Sequence, residues 1–272
     1  MKKSFYILLV YLGCQFVLYA LFLLIYALFA PDHKIHYELF GQQPEAMGYY
    51  LLATDVILYL ALRKLRLIRT PLWPAKSVRP PLRGGIWAIV GVLLFSIGIS
   101  SVGSLLQLQD NGTTDQFGQM IDNPICLLTL CLAGPLIEEI IFREGILRKL
   151  SESGTAAWAA ILASSVLFSV AHNNPAQSLP ALLTGALLGV LYVGIGDIRL
   201  CATAHVLSNI LAAALLLANR HTPQSLPQLT GTPLILTASG CIILGLLFIV
   251  IWWKRRAPYS FLSDCRKSPD YL

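Results

Sequence analysis

The chain has 272 residues, a formal net charge of +6, 56% hydrophobic and 12% charged residues, and a mean hydropathy of +0.67. A soluble globular domain of this length needs about twice that share of charge on its surface, so a soluble protein is excluded and a polytopic membrane protein is expected. The positive balance does not point to nucleic acid, because the basic residues flank apolar spans and do not interleave with solvent-exposed aromatics.

Apolar stretches long enough to cross a ~30 Å hydrocarbon core as helix fall near 4–30, 48–63, 85–107, 124–147, 155–173, 179–196, 199–218 and 232–253. The expected fold class is therefore all-α, a transmembrane helical bundle of about eight spans, with the second, fifth and sixth short. Lys2 and Lys3 precede the first block, which invites a signal-peptide reading, but the block is too long for a cleaved apolar region and suits a retained span.

Basic residues test the count, because they accumulate on the cytoplasmic side. With the N-terminus inside, the inner segments collect Lys2 and Lys3, the run from Arg63 to Arg83, Arg148 and Lys149, Arg199, and the tail from Lys254 to Lys267. The outer segments keep Lys34 and Arg220, and Arg143 stays within a span. An even number of spans with both termini cytoplasmic follows. The loop 63–84, with Pro71, Pro74, Pro80 and Pro81, reads as a stiff basic connector along anionic headgroups.

The chain divides into residues 1–123 with the first three spans, a core of four spans over 124–218, and a final span and tail over 219–272. The six cysteines form no CxxC pair, and all but Cys265 lie in apolar segments, so they read as small buried residues and not as a disulfide or zinc framework.

The fourth span opens on Asn123 and Pro124, a capping residue followed by proline at the first helical position, and closes on Arg148, Lys149 and Gly154. Within it stands Glu138-Glu139-Ile140-Ile141-Phe142-Arg143. Ionisable side chains at the centre of a bilayer helix cost at least ~2.5 kcal/mol each, so three of them mark a functional site. Glu139 and Arg143 are four apart and can pair, offsetting part of each other's desolvation. Glu138 is rotated about 100° from Glu139 and meets Phe142 at i+4. A carboxylate left less compensated in a dry site suits a general base. The expected division gives Glu138 the chemistry, with Glu139 and Arg143 as structural support.

His172 closes Phe168-Ser169-Val170-Ala171-His172, and His205 opens His205-Val206-Leu207-Ser208-Asn209, placing Asn209 one turn on the same face as His205. A base, two imidazoles and an amide donor are what amide hydrolysis requires, and no serine or cysteine stands in a nucleophile setting, so water is the expected nucleophile. The blander readings are a structural ion-pair clamp or ion pathway for the glutamates, interhelical hydrogen bonding for either histidine, and packing for Phe142 and Phe168. Asp55, unpaired in the second span, fits either a water-filled cavity or the ends of neighbouring helices.

At these three motifs the chain resembles the CAAX protease and bacteriocin-processing (Abi) family of intramembrane endopeptidases, which includes the type II CAAX prenyl endopeptidases. The resemblance covers roughly residues 124–215. Glu144 departs from it, since many relatives place glycine directly after the arginine, where this chain has glycine one residue later, at Gly145.

The resemblance implies that Glu138 and His172 position and activate the attacking water, while His205 and Asn209 stabilise the oxyanion. Members described as metalloproteases bring in zinc, for which Glu138, His172 and His205 are a three-ligand set. A metal-free glutamate mechanism is preferred, because no His-Glu-x-x-His pair is present and the three ligands come from separate helices. The expected partners are the lipid bilayer and a peptide or protein substrate, lipidated for CAAX-type ends. A membrane immunity factor or proton-coupled transporter built on the same polar cluster is the alternative.

Depth leaves a gap to close. At ~1.5 Å per helical residue, Glu138 lies about 18 Å from Arg148–Lys149, His205 about 9 Å after Arg199, and His172 some 26 Å into its span. Tilt, a break near Pro135 or a re-entrant turn after His172 has to bring them together.

Overall fold

The computed structural model describes residues 2–29, 43–69, 82–221 and 230–267. Every regular element among them is helical: α1 (Lys2–Phe29), α2 (Pro44–Lys64), α3 (Leu82–Leu105), the short α4 (Thr113–Met120), α5 (Pro124–Glu152), α6 (Ala157–Ala171), α7 (Pro175–Ile195), α8 (Ile198–His221), α9 (Gly231–Arg255) and the short α10 (Phe261–Lys267). Seven of these are long and apolar enough to cross a membrane, and α6 is a shorter apolar helix, which bears out an all-α bundle of about eight spans. Most of the basic loop expected over 63–84, residues 70–81, lies outside the described residues.

Helix starts fall where local chemistry puts them. The Asn123 side chain accepts from the amides of Ile125 and Cys126, and Pro124 supplies a first-turn residue with no N–H to satisfy. Asn174 caps α7 in the same way through Ala176, with Pro175 next. Both α2 and α7 begin four residues before their apolar stretches, at Pro44 and Pro175, because proline, joined at α7 by the Asn174 cap, sets the helix start while hydropathy sets only where a span becomes apolar.

Packing between spans relies on small residues, as expected where lipid supplies no hydrophobic drive. On α3 and α9, Gly91 and Gly245 bring backbones together so closely that a Cβ on Gly91 would sit 2.9 Å from the Gly245 carbonyl oxygen. A continuous core runs through Leu58 and Leu62 of α2, Phe142 of α5, Phe168 of α6, Tyr192 of α7 and Trp252 of α9.

Helix α5 is not uniformly α-helical. Two π-helical stretches, Thr129–Ala133 and Ile140–Leu147, bracket the α-helical Gly134–Glu139. The first has a cause in sequence. The Gly134 amide bonds to the Thr129 carbonyl, and Pro135 has no amide to offer, so the Leu130 carbonyl loses both its α- and its π-helical donor. The Asn209 side chain of α8 fills the vacancy, Nδ2 donating to Leu130 O at 2.9 Å. The break expected near Pro135 is thus a widened turn, and π turns of this kind cluster at functional sites.

Glu144 also finds its reason here. It is fully buried, ion-paired to Arg69 beyond α2, and accepts from the Tyr192 hydroxyl of α7 at 2.6 Å. It joins three segments. The glycine displaced to position 145 lies where a Cβ would meet the Ile140 carbonyl at 3.3 Å and Ile7 of α1 at 3.3 Å, so a π turn and a close helix approach both favour glycine there.

Candidate active site

The three motifs meet across α5, α6 and α8. His205, buried on α8, sits between the two glutamates: its Nδ1 lies 3.0 Å from Glu139 Oε1 and its Nε2 3.6 Å from Glu138 Oε2. Glu139 is an acceptor, so Nδ1 carries a proton, and Nε2 is turned toward Glu138. The expected Glu139–Arg143 pair forms within α5, with Arg143 Nε 3.0 Å from Glu139 Oε2 and both side chains at 0% exposure. That shortest approach lacks hydrogen-bond alignment, and Arg143 Nη2 instead donates to Oε1 at 3.4 Å. Glu138 keeps 31% of its side chain exposed, so of the adjacent carboxylates one is sealed and the other is open to a reactant.

His172 joins the cluster indirectly. It stands one residue past the end of α6, with Nδ1 2.8 Å from the Phe168 carbonyl oxygen, which leaves Nε2 as the acceptor. Phe168 is the shared platform. Its ring meets His172 at 4.6 Å, His205 at 5.7 Å and Phe142 at 5.2 Å between centroids, all edge to face, and the Arg143 guanidinium lies 5.3 Å from its centre. Phe168 packs in the core as expected, and the neighbours it packs against include the reactive groups, in keeping with its place one turn before His172.

Asn209, one turn after His205 on α8, spends one amide N–H on the Leu130 carbonyl of α5, and its amide carries a second N–H. Asp55, open to two readings in the sequence, lies on α2 within electrostatic range of Glu138, and Tyr11 of α1 lies within range of both. Tyr50 donates to Gln15 Oε1 at 2.9 Å on the same side. Polar residues of α1 and α2 therefore gather near Glu138 on α5. No motif signals this; it is visible only as polar residues recurring on otherwise apolar spans.

The depth gap closes through lengths and turns. α6 has 15 residues, about 22 Å, short of a full crossing, and Asn173 at φ +47° turns the chain straight into α7. That turn is clasped by the segment after α3: Asn111 Nδ2 donates to Asn173 O at 2.9 Å, Asn174 Nδ2 to Asp110 Oδ1 at 2.9 Å, and Ala176 N to Gln109 O at 3.1 Å. Asp110 also accepts from the Thr113 and Thr114 amides.

Hydrogen bonds from Thr114, Asn174 and Thr113 hold the Asp110 carboxyl below the usual carboxylate range. A depressed carboxylate contributes stability fully present above its unfolded value, about 3.9, and lost as pH falls through the lower folded value. Amide exchange corrected for intrinsic rate should show Thr113 and Thr114 equally protected from pH 7 to 5, with protection lost only as pH falls from about 4 through the lowered folded value. Asp110→Ala should expose them throughout; unchanged protection in that variant would show that the clasp is not held by Asp110.

The zinc set does not assemble as arranged. Glu138 and His205 are adjacent, but His172 is turned to the Phe168 carbonyl, and among the described residues no three His, Cys, Asp or Glu side chains are placed to hold a metal ion.

The fold and these groups define a multi-pass membrane protein with a glutamate–histidine cluster inside the helical bundle. Residues 121–211, about a third of the chain and the stretch holding all three motifs, match the family model of the Type II CAAX prenyl endopeptidases, Rce1-like. The resemblance to intramembrane CAAX-type endopeptidases is borne out over that stretch. No curated protein and no solved structure matches the chain.

Proposed function

We propose that the protein is an intramembrane endopeptidase in which Glu138 activates water against the scissile amide. The observation that carries this reading is the asymmetry of the acidic pair around His205, with Glu139 sealed and ion-paired while Glu138 stays accessible 3.6 Å from Nε2. Glu138 takes a proton as the water oxygen bonds to the carbonyl carbon. The oxyanion so formed accepts hydrogen bonds from protonated His205 Nε2–H and from the second N–H of Asn209. Glu138 then returns the proton to the amide nitrogen, the C–N bond breaks, and a carboxylic acid and an amine leave. His172, with Nε2 free to accept, orients the water or the departing amine.

The substrate is a peptide or protein terminus presented at the bilayer, with lipidated CAAX-type ends first in line because the matched family model is one of prenyl endopeptidases. Both termini are assigned to the cytoplasm on the distribution of basic residues. The test is cleavage of a panel of CAAX-type and leader peptides by the purified protein, wild type against Glu138→Ala, with and without a zinc chelator. Glu138-dependent cleavage that survives chelation is expected. Loss on chelation would replace the glutamate mechanism with a metal one, and cleavage by Glu138→Ala equal to wild type would overturn the assignment.

A further inference from the structure

We infer that the reactive stripe of α6 begins one turn before the Phe-x-x-x-His motif, and that Ser164 is a positioning residue which sets Arg143, and through it Glu139 and His205. This rests on the endopeptidase reading and extends it. Ser164, Phe168 and His172 follow one another at four-residue spacing, so they lie along one side of the helix. Ser164 is fully buried and makes two bonds to α5: its hydroxyl donates to the Phe142 carbonyl at 2.7 Å and accepts from Arg143 Nη1 at 3.3 Å.

Both partners lie in the π-helical stretch Ile140–Leu147, where the widened turn redirects carbonyls that an α-helix would keep on its axis. One hydroxyl thereby fixes the backbone of that turn and the guanidinium that it carries. The same guanidinium holds Glu139, and Glu139 holds His205 Nδ1. The chain of contacts runs from Ser164 through Arg143 and Glu139 to His205, and ends beside Glu138. It also fixes α6 against α5 two turns before His172, so the two histidine-bearing arms of the site share one reference point.

Ser165 supplies the control. It is equally buried on the same helix, but its hydroxyl donates to Ile161 O of its own helix at 2.7 Å. A serine needed only for packing behaves like Ser165. Ser164→Ala should lower kcat roughly 10- to 100-fold with KM within about twofold, the signature of misplaced reacting groups and not of lost substrate binding. Ser164→Cys, nearly isosteric and a weak donor, should fold like wild type and fall between the two. In the full-length detergent-solubilised protein, the Nδ1 proton resonance of His205 should move in Ser164→Ala and stay in place in Ser165→Ala. If the wild type cleaves no peptide, the endopeptidase reading fails and the resonance alone decides the positioning role. Identical behaviour of the Ser164 and Ser165 variants, in kcat or in the resonance, would overturn the proposal.

Discussion

Glu138→Gln is expected to lower kcat on a cleaved peptide by about 10²- to 10⁴-fold, the range for removal of a general base, while the thermal midpoint and yield of folded protein stay at wild-type values. The two halves of this expectation have one cause. Glu138 is accessible and is not part of the Glu139–Arg143 pair, so the fold does not depend on its charge. Glutamine keeps the shape and removes the ability to take a proton from water. Residual cleavage near wild type would move the base to another group, and His172 and Asp55 would be the next to test.

Arg143→Ala is expected to fail in the opposite way, by losing the folded protein. Arg143 has no exposed surface and lies among Glu139, Ser164 and the Phe168 ring. Its removal leaves Glu139 as a buried carboxylate with only His205 against it, and breaking a buried pair from one side costs about 3–5 kcal/mol. The yield of monodisperse protein and its thermal midpoint should both collapse. Glu139→Gln combined with Arg143→Met removes both charges and should recover much of the fold, since replacing a buried pair with neutral groups of similar size is often near neutral. That double variant should stay inactive, because His205 loses the carboxylate that holds its Nδ1–H and orients its ring. Recovery of activity with the fold would make the pair a clamp with no part in catalysis.

The contrast between these glutamates is legible in the residue spacing. A separation of four joins Glu139 to Arg143, and the absence of a partner at i+4 singles out Glu138. The span count is legible too, because about twenty apolar residues in a row admit few alternatives in a chain with so little charge. Helix caps are readable where a side chain and a proline act within three residues, as at Asn123 and Asn174.

Other relations depend on contacts between residues far apart in the chain. Glu144, a departure from the family pattern by sequence, is a buried partner of Arg69 and Tyr192, 75 and 48 residues away. Phe168 reads as packing and lies at the meeting point of both histidines and the arginine. Asn209 reads as a donor toward substrate, yet one of its hydrogens serves a carbonyl that Pro135 leaves unpaired on another helix.

The sequence by itself determined the class of protein, the spans, the three motifs and the unequal roles expected of the glutamates, since hydropathy and helical periodicity act over a few turns. Tertiary structure alone decided that His205 lies between both carboxylates, that His172 joins through Phe168, and that polar residues of α1 and α2 gather near Glu138. The physical reason is that these relations follow from how helices rotate and approach one another. That geometry is set by glycine contacts, π turns and buried hydrogen bonds whose partners lie tens of residues apart.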